Sequence, residues 1–376
     1  MADSLYIHIP FCRQKCPYCD FYSLIYDNEL VSSYVKALIQ QIAVIGNSFA
    51  TVYIGGGTPS VLSLALLKAL LKSLRNINQG VEEFTIEANP ESLDKDKIKL
   101  FLDNGVNRLS LGVQSLLDTK LKKLGRIHSV DKSKESVLLA KKEGFENISA
   151  DVIFGLSEES LESWAKELEE IASLPLNHIS VYSLTYEKNT LFFKDLQKKK
   201  IKPLDESVVV DMYKLAMDYL PKKGFKQYEV SNFSKRGFIC QHNCNYWQNK
   251  PYLGLGPSAV SFLQGARLKN PKAVKDYIAK VNKGLDPAVF VEKLSSLRHA
   301  KETAALKIRT REGIDFAWFK KECNFDFLEI EAKVLTKLIR DRLLKYKRSS
   351  AGKKAGIFLT KKGFLFADTV ASYFLI

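Results

Sequence analysis

Apolar positions along the chain follow two alternating rhythms. Short runs that are β-branched or apolar at every second residue recur at 5–9, 51–54, 83–87, 108–113, 147–154 and 178–184, and predict strands. Longer stretches between them space apolar residues by three and four, as from Leu62 to Leu74 and from Leu161 to Leu174, and predict helices. Strand and helix alternate six times, which predicts an α/β fold built on a parallel sheet, with its sites at the C-terminal ends of the strands. In the first strand Leu5, Ile7 and Ile9 point one way, and Tyr6 and His8 point toward whatever the sheet encloses.

Polar residues interrupt this pattern where the strands end. After Val52-Tyr53-Ile54 comes Gly55-Gly56-Gly57-Thr58-Pro59, where backbone can approach a ligand closely. The run is followed by no GK[ST] and lacks GxGxxG spacing, which excludes a P-loop and a dinucleotide fingerprint. Glu87, Gln114 and Asp151 stand at the end of, or within, the next apolar strands. Three such groups in successive units favour a ligand site over simple strand capping.

With 376 residues, 46% hydrophobic and 26% charged, the chain has room for one large α/β unit and a small appendage. The expected divisions are a core at 1–235, a connecting segment at 236–294 and a C-terminal unit at 295–376. No window approaches the run of about 18 apolar residues needed to cross a bilayer. The first residues carry no basic leader or cleavage site, so a cytoplasmic location is expected. A net charge of +15 admits a polyanionic partner, but the lysines are scattered through helix surfaces and terminal runs such as Lys198-Lys199-Lys200. A solvated basic surface, with no nucleic acid bound, is the expectation.

Half of the six cysteines fall in one short loop, where Cys12, Cys16 and Cys19 are spaced CxxxCxxC. Such a distribution suits metal binding in a reducing compartment better than a disulfide framework. Three soft thiolates in so short a loop suit three corners of a cubic iron–sulfur cluster with its fourth iron open, and Arg13 and Lys15 favour deprotonated sulfur. A zinc knuckle completed by a distant ligand is the alternative.

Tyr6-Ile-His-Ile-Pro10, the CxxxCxxC loop, Gly55-Gly-Gly-Thr-Pro59 and the strand-end residues together resemble the radical S-adenosylmethionine (SAM) superfamily. The branch is that of oxygen-independent coproporphyrinogen III oxidase. The similarity continues through Leu124-Gly-Arg-Ile-His128, Asp151-Val-Ile-Phe-Gly155 and His178-Ile-Ser-Val-Tyr182 into the C-terminal region. It implies a partial (β/α)6 radical-SAM barrel with a small C-terminal winged-helix-like domain. By resemblance, Cys12, Cys16 and Cys19 hold a [4Fe–4S] cluster, and Tyr6, Gly56, Gly57, Thr58 and Glu87 hold SAM on its open iron. Gln114, Arg126 and Asp151 match positions that line an adjacent SAM site in the oxidase.

Two features bear on the subfamily. The oxidase continues CxxxCxxCxC, whereas Phe21 stands here in place of the further cysteine, which puts coproporphyrinogen decarboxylation in doubt. His242-Asn-Cys-Asn-Tyr-Trp247 fits HNxxYW, the mark of HemW-type haem chaperones. The resemblance therefore implies haem as cargo, His242 as its axial ligand, and acceptor haemoproteins as partners, including peripheral contact with membrane haemoproteins. Cys240 and Cys244 flank His242 and could ligate zinc or lend haem a thiolate. A porphyrinogen oxidase and an RNA-modifying radical-SAM protein are the alternative functions. From about 295, helices are expected at Ala300–Ile308, Phe316–Phe319 and Leu328–Leu344, before a small sheet and a terminal helix.

Overall fold

The computed structural model describes residues 2–46, 48–77 and 80–375. Six parallel strands lie side by side in chain order: β1 (Ser4–Ile9), β2 (Thr51–Gly56), β3 (Glu83–Ala88), β4 (Arg108–Gln114), β5 (Asn147–Phe154) and β6 (His178–Ser183). Each follows the expected run to within two residues, because strands buried on both faces write their position plainly as apolar sequence. Helices fill the crossovers, and their starts are fixed by side-chain caps: Asp27, Ser63, Asp94, Ser129 and Ser160 each accept a first-turn backbone N–H.

The sheet continues on both sides of this set. The short strands β7 (Lys226–Gln227) and β8 (Asn232–Ser234) extend it antiparallel beyond β6. Segment 236–294 supplies β9 (Tyr252–Leu255), parallel to β1, and then antiparallel β10 (Val260–Leu263), β11 (Ala266–Lys269) and β12 (Val289–Lys293). β7 and β12 are the two ends of this order, so the barrel is partial, as the resemblance implied. Leu5, Ile7, Ile9, Val52, Ile54 and Ile86 are fully buried in the core, each worth about 1.5–3 kcal/mol against exposure. Tyr6, Tyr53 and Glu87, on the alternate positions, line the space the strands wrap around.

The C-terminal unit runs helix (Ser296–Lys307), β13 (Ile314–Asp315), helices (Phe316–Cys323, Phe327–Ile330 and Ala332–Arg340), β14 (Leu344–Arg348) and β15 (Lys354–Leu359). This is the winged-helix order, with β15 central in a three-stranded sheet. The helix expected over Leu328–Leu344 is interrupted at Glu331 and ends at Arg340. Arg342 takes a left-handed φ of 60°, and buried Leu344 pairs instead with Leu359. Helical spacing continued there in the sequence, but strand pairing won. Among the described residues no helix is long and apolar enough to cross a membrane.

Candidate metal and cofactor site

β1 leads straight into the cysteine loop. Phe11–Cys12 pairs with Leu24–Ile25, which closes the loop on itself, and the Cys19 N–H donates to the Cys16 carbonyl at 3.2 Å. On its outer side Tyr18 packs on Phe192 and on the small apolar cluster of Leu124, Ile153 and Leu156. The Phe192 N–H donates to the Pro17 carbonyl at 2.9 Å, and Gln14 donates to the Gly125 carbonyl at 3.1 Å. The loop is thus held by the strand-end segments that follow β4 and β6.

Cys12, Cys16 and Cys19 are all free thiols and only partly exposed. Each sulfur has a donor: the Thr58 hydroxyl on Cys12 at 3.5 Å, Arg126 Nη1 on Cys16 at 3.5 Å, and the Phe21 backbone on Cys19. Burial raises the Cys12 and Cys19 thiols, so their thiolates need a positive partner. The donor set fits a cluster, whose irons lie apart and take one thiolate each, better than zinc.

The glycine turn sits beside this loop. The Gly57 N–H donates to the Ile9 carbonyl and the Thr58 N–H to the Phe11 carbonyl, both at 2.8 Å. Gly56 has φ of +112°, and a Cβ there would lie 2.5 Å from His8 Nδ1. Only glycine fits. His8 Nε2 must donate to the Tyr22 carbonyl at 2.9 Å, because a carbonyl only accepts, so Nδ1 accepts from the Tyr6 hydroxyl at 2.9 Å. His8 of β1 therefore ties Tyr6 to the end of the cysteine loop.

Glu87 receives the Tyr53 hydroxyl at 2.7 Å and the Gly56 N–H at 3.1 Å. Burial pushes its carboxyl up to about 7 against those donors, helped by nearby Asp151. Asp151 is itself raised by burial, though it accepts from Ser180. Two carboxyls whose charged forms are disfavoured chiefly by burial, with Arg108 acting on both, suit a cationic ligand such as an ammonium group. Gln114, at φ 65°, ends β4, and Arg126 spans from Cys16 to Asn89 Oδ1 (2.7 Å) and the Gly112 carbonyl (2.9 Å). Gly56, Gly57, Thr58, Glu87, Gln114 and Arg126 thus lie at or beyond the C-terminal ends of β2, β3 and β4, beside the cysteine loop, while Tyr6 and Asp151 stand further back within β1 and β5. Asn89, Tyr53 and Ser180 join them without having been singled out from the sequence. Asn89 stands two residues past Glu87, and that strand-end position was its one available signal.

His242 lies at the opposite end. The helix Gln241–Trp247 is seated under the strand starts, where the Glu83 carboxylate accepts the Gln241 N–H at 2.8 Å and the His242 N–H at 2.9 Å. Its ring is buried and tilted against Tyr53 at 5.1 Å between centroids. Burial lowers its pKa to about 3, so the imidazole is neutral. Thr51 gives its own proton to Ser4 Oγ at 2.8 Å, so His242 Nδ1 donates to Thr51 at 2.8 Å and the Nε2 lone pair accepts the Tyr246 hydroxyl at 3.0 Å. The structure does not bring His242 to the cysteines. Cys240 is buried with its thiol 3.4 Å from Glu83 Oε1, and Cys244 is half-buried beside it.

Parallel strands wound in order, with a three-cysteine loop at their C-terminal ends, define a radical SAM protein. Residues 6–171 match the radical SAM superfamily. The solved structure of coproporphyrinogen III oxidase (HemN) from Escherichia coli superposes with a TM-score of 0.83, covering 99% of this chain and 89% of that one at 23% identity, a likeness of fold. A heme chaperone HemW of Lactococcus lactis is 36% identical over 100% of this chain and 97% of its own. Another, of Bacillus subtilis, is 34% identical over 99% of each. The chain belongs to the HemW family of the radical SAM superfamily, whose cofactors are a [4Fe–4S] cluster and SAM.

Proposed function

We propose that this protein is a haem chaperone, which binds haem and passes it to acceptor haemoproteins from a scaffold carrying a [4Fe–4S] cluster and SAM. The observation that carries the reading is end-to-end similarity to two heme chaperones, joined to Phe21. That ring is 71% exposed beside the cysteine loop, where the oxidase pattern has a thiol. A phenyl group can neither ligate metal nor move a proton.

In this reading Cys12, Cys16 and Cys19 ligate the cluster, and when bound it supplies one-electron chemistry at the SAM sulfonium. Tyr6, Gly56, Gly57, Thr58 and Glu87 hold SAM, with the Glu87 carboxylate on its ammonium group. Gln114, Arg126 and Asp151 line the adjoining space. His242 is the haem ligand, and its tautomer suits the role: Nδ1 is held by Thr51, and Nε2 carries the lone pair an iron needs. Among the described residues the Tyr246 hydroxyl takes that lone pair, so haem binds there once this hydrogen bond is broken. The protein works in the cytoplasm, touches membrane haemoproteins peripherally and binds no nucleic acid.

The near-complete SAM site keeps porphyrinogen oxidation as the second reading. Anaerobically reconstituted protein assayed in parallel for haem transfer to an apo-haemoprotein and for coproporphyrinogen III conversion separates the two. Haem transfer without conversion is expected; conversion without haem uptake reverses the assignment.

A further inference from the structure

Two of the three loop sulfurs are joined by an unbroken line of hydrogen bonds that runs through Asn89. Arg126 Nη1 reaches Cys16 Sγ at 3.5 Å and Nη2 reaches Asn89 Oδ1 at 2.7 Å. Asn89 Nδ2 reaches Thr58 Oγ1 at 3.0 Å, and Thr58 Oγ1 reaches Cys12 Sγ at 3.5 Å. The direction of every bond is dictated by chemistry. A guanidinium only donates, so Asn89 presents its oxygen to Arg126 and its NH2 to Thr58. The Thr58 hydroxyl already accepts from that NH2, which leaves its own proton for the Cys12 sulfur.

The backbone is arranged around this line. Asn89 is held by its own N–H, which donates to Ser60 Oγ at 3.1 Å. A Cβ on Gly112 would lie 2.6 Å from Asn89 Oδ1 and 3.1 Å from Arg126 Nη2, so the glycine leaves the room that the Asn89–Arg126 pair occupies. We infer that Asn89 is a positioning residue that aims one neutral and one charged donor at two cluster-ligating sulfurs, and thereby sets the cluster's reduction potential. The inference rests on the cluster reading of the three cysteines and is independent of haem. Donors to ligand sulfur stabilise the more negative, reduced cluster and raise its potential.

The test is an anaerobic redox titration of reconstituted protein followed by electron paramagnetic resonance, on wild type, Asn89→Ser, Thr58→Val and the double variant. Asn89→Ser keeps the charge unchanged but is too short to span Arg126 and Thr58. Its reduction constant should fall at least tenfold, which is 59 mV for one electron. Thr58→Val should fall in the same direction, and in the double variant the two effects should overlap rather than add, since Asn89 acts in part through Thr58. A wild-type potential in Asn89→Ser overturns the inference, and so does full additivity. Should Asn89→Ser not retain its iron, the comparison moves to Asn89→Asp, whose carboxylate accepts from Thr58 and turns that proton away from Cys12; an unchanged potential there overturns the inference equally. Absence of any cluster from the wild type removes the cluster reading itself, an outcome distinct from an unmoved potential.

Discussion

Replacing Glu87 by glutamine removes a charge while keeping the shape and most of the hydrogen bonding. Glu87 is raised to about 7 chiefly by burial, despite its donors Tyr53 and the Gly56 N–H, and the Asp151 carboxyl nearby adds to the rise. A carboxyl titrating at 7 is about one-eleventh ionised at pH 6 and half ionised at pH 7. If the ionised form pairs with the SAM ammonium, affinity for SAM rises about fivefold over that unit of pH. Calorimetric titration of reconstituted protein under anaerobic conditions at pH 6 and pH 7 measures this directly, and Glu87→Gln should bind more weakly at pH 7 and lose the pH dependence. The linkage to stability has a definite sign. Folded Glu87 holds its proton to higher pH than its ordinary 4.5, so the native state loses stability as pH rises from 4.5 to 7, by on the order of 3 kcal/mol. The ligand-free Glu87→Gln protein should therefore be the more stable one at pH 7. Equal pH dependence of SAM binding in both proteins would refute a charge role for Glu87.

Two further outcomes are expected. His242→Ala removes both ring bonds under the strand starts, so thermal unfolding should show a loss of about 2–4 kcal/mol, and the haem spectrum should change while cluster absorbance stays; an unaltered haem spectrum removes His242 as ligand. Lys120 is buried between Glu159 at 2.7 Å and Glu167 at 2.8 Å, so Lys120→Met strands two carboxylates and should cost about 3–5 kcal/mol in denaturant unfolding; a loss below 1 kcal/mol contradicts that.

The six central strands could be read from the sequence, because strands buried on both faces carry dense apolar runs that end in glycine and polar residues, whereas the winged-helix tail came from the family resemblance. Part of the candidate site was legible for the same reason, since Glu87, Gln114 and Asp151 break apolar runs at the end of, or within, their strands; the cysteines stood out by their spacing, and Tyr6, Gly56, Gly57, Thr58 and Arg126 came from the family resemblance. Asn89 was not, since asparagine before Pro90 reads as a turn former and nothing local reveals Arg126, 37 residues on, as its partner. The burial of His242 depends on Thr51, 191 residues earlier, whose hydroxyl looks like any strand threonine until the chain is folded. Segment 236–294 looked like a connector because its strands are short and its outermost one, β12, leaves Val289, Phe290 and Val291 exposed, so no buried face imprints an alternation.

The most direct measurement is Mössbauer spectroscopy of the iron-57-reconstituted protein, recorded anaerobically with and without SAM. A [4Fe–4S] spectrum in which one iron of the four shifts on adding SAM is expected, with Cys16→Ala losing the cluster. Iron that never assembles as a four-iron cluster, or a cluster whose four irons are indifferent to SAM, would contradict a three-thiolate site with one position kept open.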